Sequence, residues 1–195
     1  ALADLSDTPL PAGPLGHTAC RLAGIEARLR RVPFSAGPSF LVVSARKNGP
    51  PLRDVLLEAG AVVCSPAALE MLRIEAGFPV YGRDITEDHL PQEVNRDRRA
   101  INFTKGCYLG QETVARIDAL GHVNRLLVRL RWKASGMPPV GPMPEPDPSA
   151  VLRVTSAAWS PALDAPLSLA YVRRDHSRVG TRIETAYGEA EVVDA

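Results

Sequence analysis

A chain of 195 residues with 45% hydrophobic and 23% charged content is long enough to bury a full core in one or two domains and has an ordinary globular composition. A formal net charge of +1 excludes a protein that holds nucleic acid by bulk charge, and no apolar run approaches the ~18 residues of a membrane span. The opening stretch, Ala1-Leu2-Ala3-Asp4-Leu5-Ser6, lacks the positive segment of a secretory signal.

Residues 1–20 are rich in Pro and Gly, show no hydrophobic period, and read as a linker or the remnant of a neighbouring part. Ile25 to Phe34 and Phe40 to Ala45 read as strands, with turn chemistry between them at Ser35-Ala36-Gly37-Pro38. Pro50-Pro51 opens a helix in which Leu52, Val55, Leu56 and Ala59 recur at helical spacing until Gly60. Ser65 caps a second helix and Pro66 is its first residue; Leu69, Leu72 and Ala76 form its apolar stripe with Met71 beside it, and Gly77 and Pro79 stop it. Residues 78–104 are polar and irregular, a loop with short helical turns.

At Gly121 the texture changes. Leu126, Val128, Leu130 and Trp132 alternate with Arg125, Leu127, Arg129 and Arg131, the period of a half-buried strand. Val151 to Trp159, Leu167 to Arg173 and Thr181 to Val193 also read as strands, the last broken by a turn at Tyr187-Gly188-Glu189. Met137 to Pro148 holds six prolines and reads as a stiff surface loop. The pattern predicts an α+β module over 21–120 followed by a small C-terminal β-barrel over 121–195.

Charge is uneven along the chain. Seven basic residues stand against Glu26 between Arg21 and Arg53, and five acids against Arg96 between Asp84 and Asp97. Both runs read as solvated faces, the first alternatively as a basic rim for an anionic ligand or RNA. The three cysteines, Cys20, Cys64 and Cys107, are far apart and form no Cys-x-x-Cys, so neither a zinc site nor a cluster held by this chain alone is expected. Free thiols in a reducing compartment, the cytoplasm, are expected instead.

The densest chemistry lies in Lys105-Gly106-Cys107-Tyr108-Leu109-Gly110-Gln111-Glu112. Lys105, two residues from Cys107, favours a thiolate over a thiol, and Gly106 permits a positive φ or a close ligand. A reactive Cys107 wants a base, for which His89 and His122 are the candidates; His17 and His176 have no supporting context. The alternative is a structural thiol. Tyr81 and Tyr108 either stack on a flat heterocycle or fill core. Glu75 falls in the last helical turn, where a carboxylate faces the negative end of the macrodipole at a cost of about 0.3–1 kcal/mol. It is a tolerated surface acid or a residue kept for a ligand.

The octapeptide closely resembles the Lys-Gly-Cys-Tyr-x-Gly-Gln-Glu signature of the YgfZ/GcvT-related folate-binding family. Leu72-Arg73-Ile74-Glu75-Ala76-Gly77-Phe78-Pro79-Val80-Tyr81-Gly82-Arg83-Asp84-Ile85 resembles the Arg-x-Glu-Ala-Gly…Tyr-Gly-x-Asp segment of the glycine-cleavage aminomethyltransferases. Val154-Thr155-Ser156, Ser160-Pro161 and Leu169-Ala170-Tyr171-Val172 resemble those proteins' C-terminal barrel.

The resemblance implies a GcvT-like folate-binding module with ferredoxin-like β/α elements, and a chain lacking the family's N-terminal portion, which carries the acidic residue that directs one-carbon transfer. It implies tetrahydrofolate or a derivative as cofactor, with Glu75 on the pterin and Tyr108, Tyr81 and Gln111 near it. It assigns no role to Arg83 or Asp84. Cys107, with Lys105, becomes a reactive thiol toward a partner. Where the aminomethyltransferases have an acid and a cation, this chain has Cys107 and Gln111, and loss of that cation removes an anchor for the folate glutamate. The implied function is folate binding in support of iron–sulfur cluster assembly or repair, including in tRNA-modifying enzymes, by a monomer with iron–sulfur client proteins. The alternative is a folate-dependent aminomethyl transferase. Neither RNA nor a membrane is an expected partner.

Overall fold

The computed structural model describes residues 1–133, 136–142 and 152–194, and divides the chain into two units, Ala1–Phe78 and Pro79–Ala195. The division falls well before the change of texture at Gly121. Residues 79–120, expected with the preceding module, are part of the second unit.

Residues 1–20 are not a linker. Leu2–Leu5 forms helix α1 and His17–Leu22 forms strand β1. Ser6 bridges to Leu22, Arg21 N donates to Asp7 Oδ1 at 2.7 Å, and Ala23 N donates to Leu5 O at 2.8 Å. Thr18, Cys20 and Leu22 alternate inward, a period-two signal masked by the surrounding Pro and Gly. A two-residue turn joins β1 to β2 (Ile25–Val32); both its residues, Ala23 and Gly24, have positive φ, the geometry that matches strand twist in a tight hairpin. Strand β3 (Ser39–Val43) completes an antiparallel sheet of order β1-β2-β3.

Helix α2 (Gly49–Glu58) buries Leu52 in a cluster with Cys20, Leu22, Ala27 and Leu29; Leu2, Leu5 and Leu10 pack against it. Arg28 and Arg30 are exposed on β2, so that part of the basic run is a solvated strand face. Helix α3 (Pro66–Glu75) starts as read, with Ala68 N donating to Ser65 Oγ at 3.2 Å. Its expected stripe is misplaced: Leu69 is 53% exposed and Leu72 36%, while Arg73 and Ile74 are buried.

In the second unit, the 3-10 turn Pro91–Val94 and the short helix α4 (Asp97–Ala100) lie within the expected irregular stretch. Helix α5 (Gln111–Leu120) forms where no element is expected, with Val114 and Ile117 at helical spacing and Gly121 at its end. Beyond it lie β4 (Arg125–Lys133), β5 (Gly141–Pro142), β6 (Leu152–Ser160), β7 (Ala165–Arg173), β8 (Arg182–Thr185) and β9 (Gly188–Val193). They form one antiparallel sheet of order β5-β6-β7-β4-β9-β8 among the described residues. Residues 143–148 of the proline-rich stretch lie outside those residues.

One face of this sheet gathers Val128, Leu130, Trp132, Val154, Val172, Ile183 and Val192 into a core. Trp132 Nε1 finds a partner there in Ser168 Oγ at 2.9 Å. The residues of β7 facing the other way, Leu167, Leu169 and Tyr171, are equally buried. Tyr171 is covered by its own unit: its hydroxyl donates to Asp84 O at 3.0 Å, and His89 stacks on its ring at 4.3 Å.

Asp84 is fully buried. Its Oδ1 accepts from Thr155 Oγ1 at 2.5 Å and Ser156 Oγ at 2.6 Å, and its Oδ2 from Val80 N at 2.9 Å. Successive strand residues point to opposite faces, so two adjacent hydroxyls reach one oxygen only where the strand is irregular. The β6–β7 register shifts between Val154 and Ser156, a bulge that aims both hydroxyls at Asp84. The acidic run is a solvated face only in part: Glu87, Asp88 and Asp97 are exposed, while Asp84 and Glu93 are buried and bonded. Replacing Thr155 with Val and Ser156 with Ala together strips donors from a buried carboxylate. Urea unfolding of that variant is expected to show a loss of about 2–5 kcal/mol, exceeding that of either single change.

Candidate functional site

Glu75 is the last residue of α3 and is half-buried. Its mounting is rigid because of Arg73. That guanidinium grips Glu70 through Nε to Oε2 at 2.7 Å and Nη2 to Oε1 at 2.5 Å, and Nη1 donates to Phe78 O at 3.0 Å. The fork places a cation at the negative end of the helix and closes its C-terminal turn. Arg73 itself is buried. Its burial makes it the residue that holds the Glu75 turn in place.

Tyr81 and Arg83 are exposed, and the Tyr81 hydroxyl lies 3.5 Å from Glu87 Oε1, so Tyr81 is not core. Asp84, which had no assigned role, is the buried anchor described above. Its partners Thr155 and Ser156 stand 71 and 72 residues away, and nothing in the sequence alone joins them.

The Lys105–Glu112 stretch leads into α5. Asn102 Oδ1 accepts from Thr104 N at 2.9 Å and Lys105 N at 3.0 Å, shaping the loop before it. Lys105 Nζ lies 4.7 Å from the centre of the Tyr108 ring, so one ring face carries a cation. Gly110, not Gly106, supplies the left-handed residue, with φ 83° at the N-cap of α5. Gly106 has open space around it, with nothing within 4 Å of a Cβ built there. Cys107 is an exposed free thiol, and Leu109 beside it is fully exposed. Tyr108 and Gln111 are half-buried. Gln92 Nε2 donates to Val114 O at 2.9 Å and ties α5 to the turn at Pro91–Val94.

The two candidate bases are not engaged with Cys107 by any hydrogen bond among the described residues. His89 Nδ1 accepts from Thr86 N at 2.9 Å, which puts the proton of the neutral ring on Nε2. Its pKa is lowered, first by burial and then by the Arg125 guanidinium. His122 is exposed in the segment before β4. Arg125 is fixed by Glu93, with Nε to Oε1 at 2.9 Å, and lies 5.3 Å from the Tyr171 ring centre. All three cysteines are free, and no group of three or more metal-ligating side chains gathers among the described residues. No helix among these residues is long and apolar enough to cross a membrane.

Burial pushes the Tyr171 phenol up to about 12, with the Glu93 carboxylate adding to the effect. A phenol that keeps its proton longer when folded stabilises fully below about pH 10, and that contribution is lost as pH rises from about 10 to 12. In a spectrophotometric titration of the four tyrosines, one is expected to ionise late or only with unfolding, and Tyr171→Phe to remove that step. Four tyrosines ionising together near the ordinary value would contradict the buried stack.

Comparison with known proteins places this arrangement. Residues 140–195 match the family described as glycine cleavage T-protein C-terminal barrel domain. An aminomethyltransferase of Symbiobacterium thermophilum is 32% identical over 161 residues, covering 80% of this chain and 42% of its own. An aminomethyltransferase of Nostoc sp. is 29% identical over 174 residues, covering 89% and 46%. The chain thus spans about half the length of the curated relatives it matches. The crystal structure of glycine cleavage system aminomethyltransferase T from Bartonella henselae superposes with a TM-score of 0.73 at 21% identity, over 86% of this chain and 48% of that one. The fold is the α+β arrangement seen in that solved aminomethyltransferase, and residues 140–195 are similar to the glycine cleavage T-protein C-terminal barrel domain.

Proposed function

We propose that this chain is the folate-binding portion of a GcvT-like protein that supports iron–sulfur cluster assembly or repair, including in tRNA-modifying enzymes, in the cytoplasm. The observation that carries the folate reading is the mounting of Glu75. The half-buried Glu75 carboxylate stands at the end of a helix whose last turn is braced by buried Arg73, through Glu70 and Phe78 O. It suits a pterin, whose 2-amino and N3 positions offer two parallel N–H donors to one carboxylate. Similarity to aminomethyltransferases over most of the chain supports the same cofactor, tetrahydrofolate or a derivative. Bound folate supplies a one-carbon carrier; Glu75 would hold the pterin, with Tyr108, Gln111 and Tyr81 assigned to its surroundings by resemblance.

The cluster-related part rests on Cys107. Its thiol is exposed, flanked by the exposed Leu109, and free of hydrogen bonds among the described residues. Such a thiol suits transient contact with a client's cluster or thiol rather than a structural role. A second reading, a folate-dependent aminomethyl transferase, is favoured by the names of the curated relatives. It requires the full-length protein to turn over a one-carbon donor.

Calorimetric titration of tetrahydrofolate into this chain and into a longer form carrying the family's N-terminal portion tests the proposal. Binding is expected in at least one of them, weakened about tenfold or more by Glu75→Ala and unchanged by Cys107→Ala. Cys107→Ala is expected to abolish function in cells. No binding by either form would overturn the folate reading, and joint loss of fold and affinity in Cys107→Ala would make the thiol structural.

A further inference from the structure

A cleft of about 1050 Å³ opens at one end of the second unit's sheet, between the segment leading into β4 and the turn after β7. Its walls are pinned together where Arg174 N donates to Asn124 O at 2.9 Å. Its lining holds four guanidiniums, Arg125, Arg173, Arg174 and Arg178, against the single carboxylate of Asp175. Arg125 and Arg173 are direct cross-strand partners in the β4–β7 ladder. Like charges so placed destabilise an antiparallel pair. Here each is steadied by its own acid: Arg125 by Glu93 at 2.9 and 3.2 Å, and Arg173 by Asp175 at 3.1 and 2.7 Å. Arg174 and Arg178 are exposed and have no side-chain partner among the described residues.

We propose that this cleft binds a small diphosphate-class oxyanion, free or as the end group of a nucleotide. Two guanidiniums are held in place and two remain uncommitted, an arrangement that favours an anion carrying several charges within a few ångströms. Guanidinium forks match phosphate oxygens bidentately. The volume lies just above the range of about 300–1,000 Å³ usual for a small-ligand site. Among the described residues His122 is the one aromatic ring that lines it, so recognition falls chiefly on the oxyanion.

The test is calorimetric titration of pyrophosphate and of ADP into the 195-residue chain at low and at high salt. Pyrophosphate is expected to bind, more weakly as salt rises. Arg174→Gln combined with Arg178→Gln should weaken it about tenfold or more, with the thermal midpoint unchanged because both side chains are exposed. ADP equal to pyrophosphate would place recognition in the diphosphate, and tighter ADP would make a nucleotide its source; both support the proposal. As a readout that needs no variant, the amide resonances of Asn124 and Arg174 should shift with pyrophosphate. Absence of binding, an unaffected double variant, shifts confined to other residues, or tighter binding of an oligoglutamate peptide or a short RNA than of pyrophosphate would each overturn it.

Discussion

The second unit is organised around one carboxylate. Asp84 is fully buried, and a buried polar group persists only where hydrogen bonds replace its water. Thr155, Ser156 and the Val80 amide supply those bonds, and the Tyr171 hydroxyl holds the carbonyl of the same residue. The bulge in β6, the buried outer face of β7 and the placement of residues 79–95 are aspects of this one arrangement. It explains why a polar, irregular stretch belongs with the barrel strands: Thr155, Ser156 and Arg125 of that sheet complete the bonding of its buried carboxylates. Glu93 repeats the logic beside it, gripping Arg125, which in turn faces the Tyr171 ring.

Much of the local structure was legible in the residues. Ser65-Pro66 marked a helix start, the alternation from Leu126 to Trp132 marked a strand, and a turn near Tyr187 divided the last hairpin. These are signals carried by neighbouring residues, where capping, periodicity and turn chemistry act. What escaped depends on partners distant in sequence. The segment 1–20 reads as linker because its period is short, yet Leu2, Leu5 and Leu10 pack on a core built by β1, β2 and α2. Leu69 and Leu72 have core spacing, but the Arg73 fork turns the other side of α3 inward. Charge counting placed Asp84 in solvent with the exposed Glu87, Asp88 and Asp97, because hydroxyl donors some seventy residues away leave no mark on local composition.

The candidate site was legible by motif and less so by geometry. The structure gives Glu75 a rigid mounting, gives Tyr108 a cation over one face, and leaves Cys107 exposed. It also separates chemistry that composition ran together. His89 is committed to Thr86 and Tyr171, and His122 lies on the arginine-lined cleft rather than in hydrogen-bond contact with the thiol. A shared fold does not by itself carry over a shared reaction.

The most direct test of the organising role of Asp84 is amide hydrogen exchange on Asp84→Asn compared with the parent chain. Neutralising the carboxylate should strip protection from residues 80–95, Val80 and Glu93 among them, while β4, β7 and β9 keep theirs around the Trp132 core. Retained protection across 80–95, or a uniform loss through the whole sheet, would contradict a local anchor and require another account of how that segment is held.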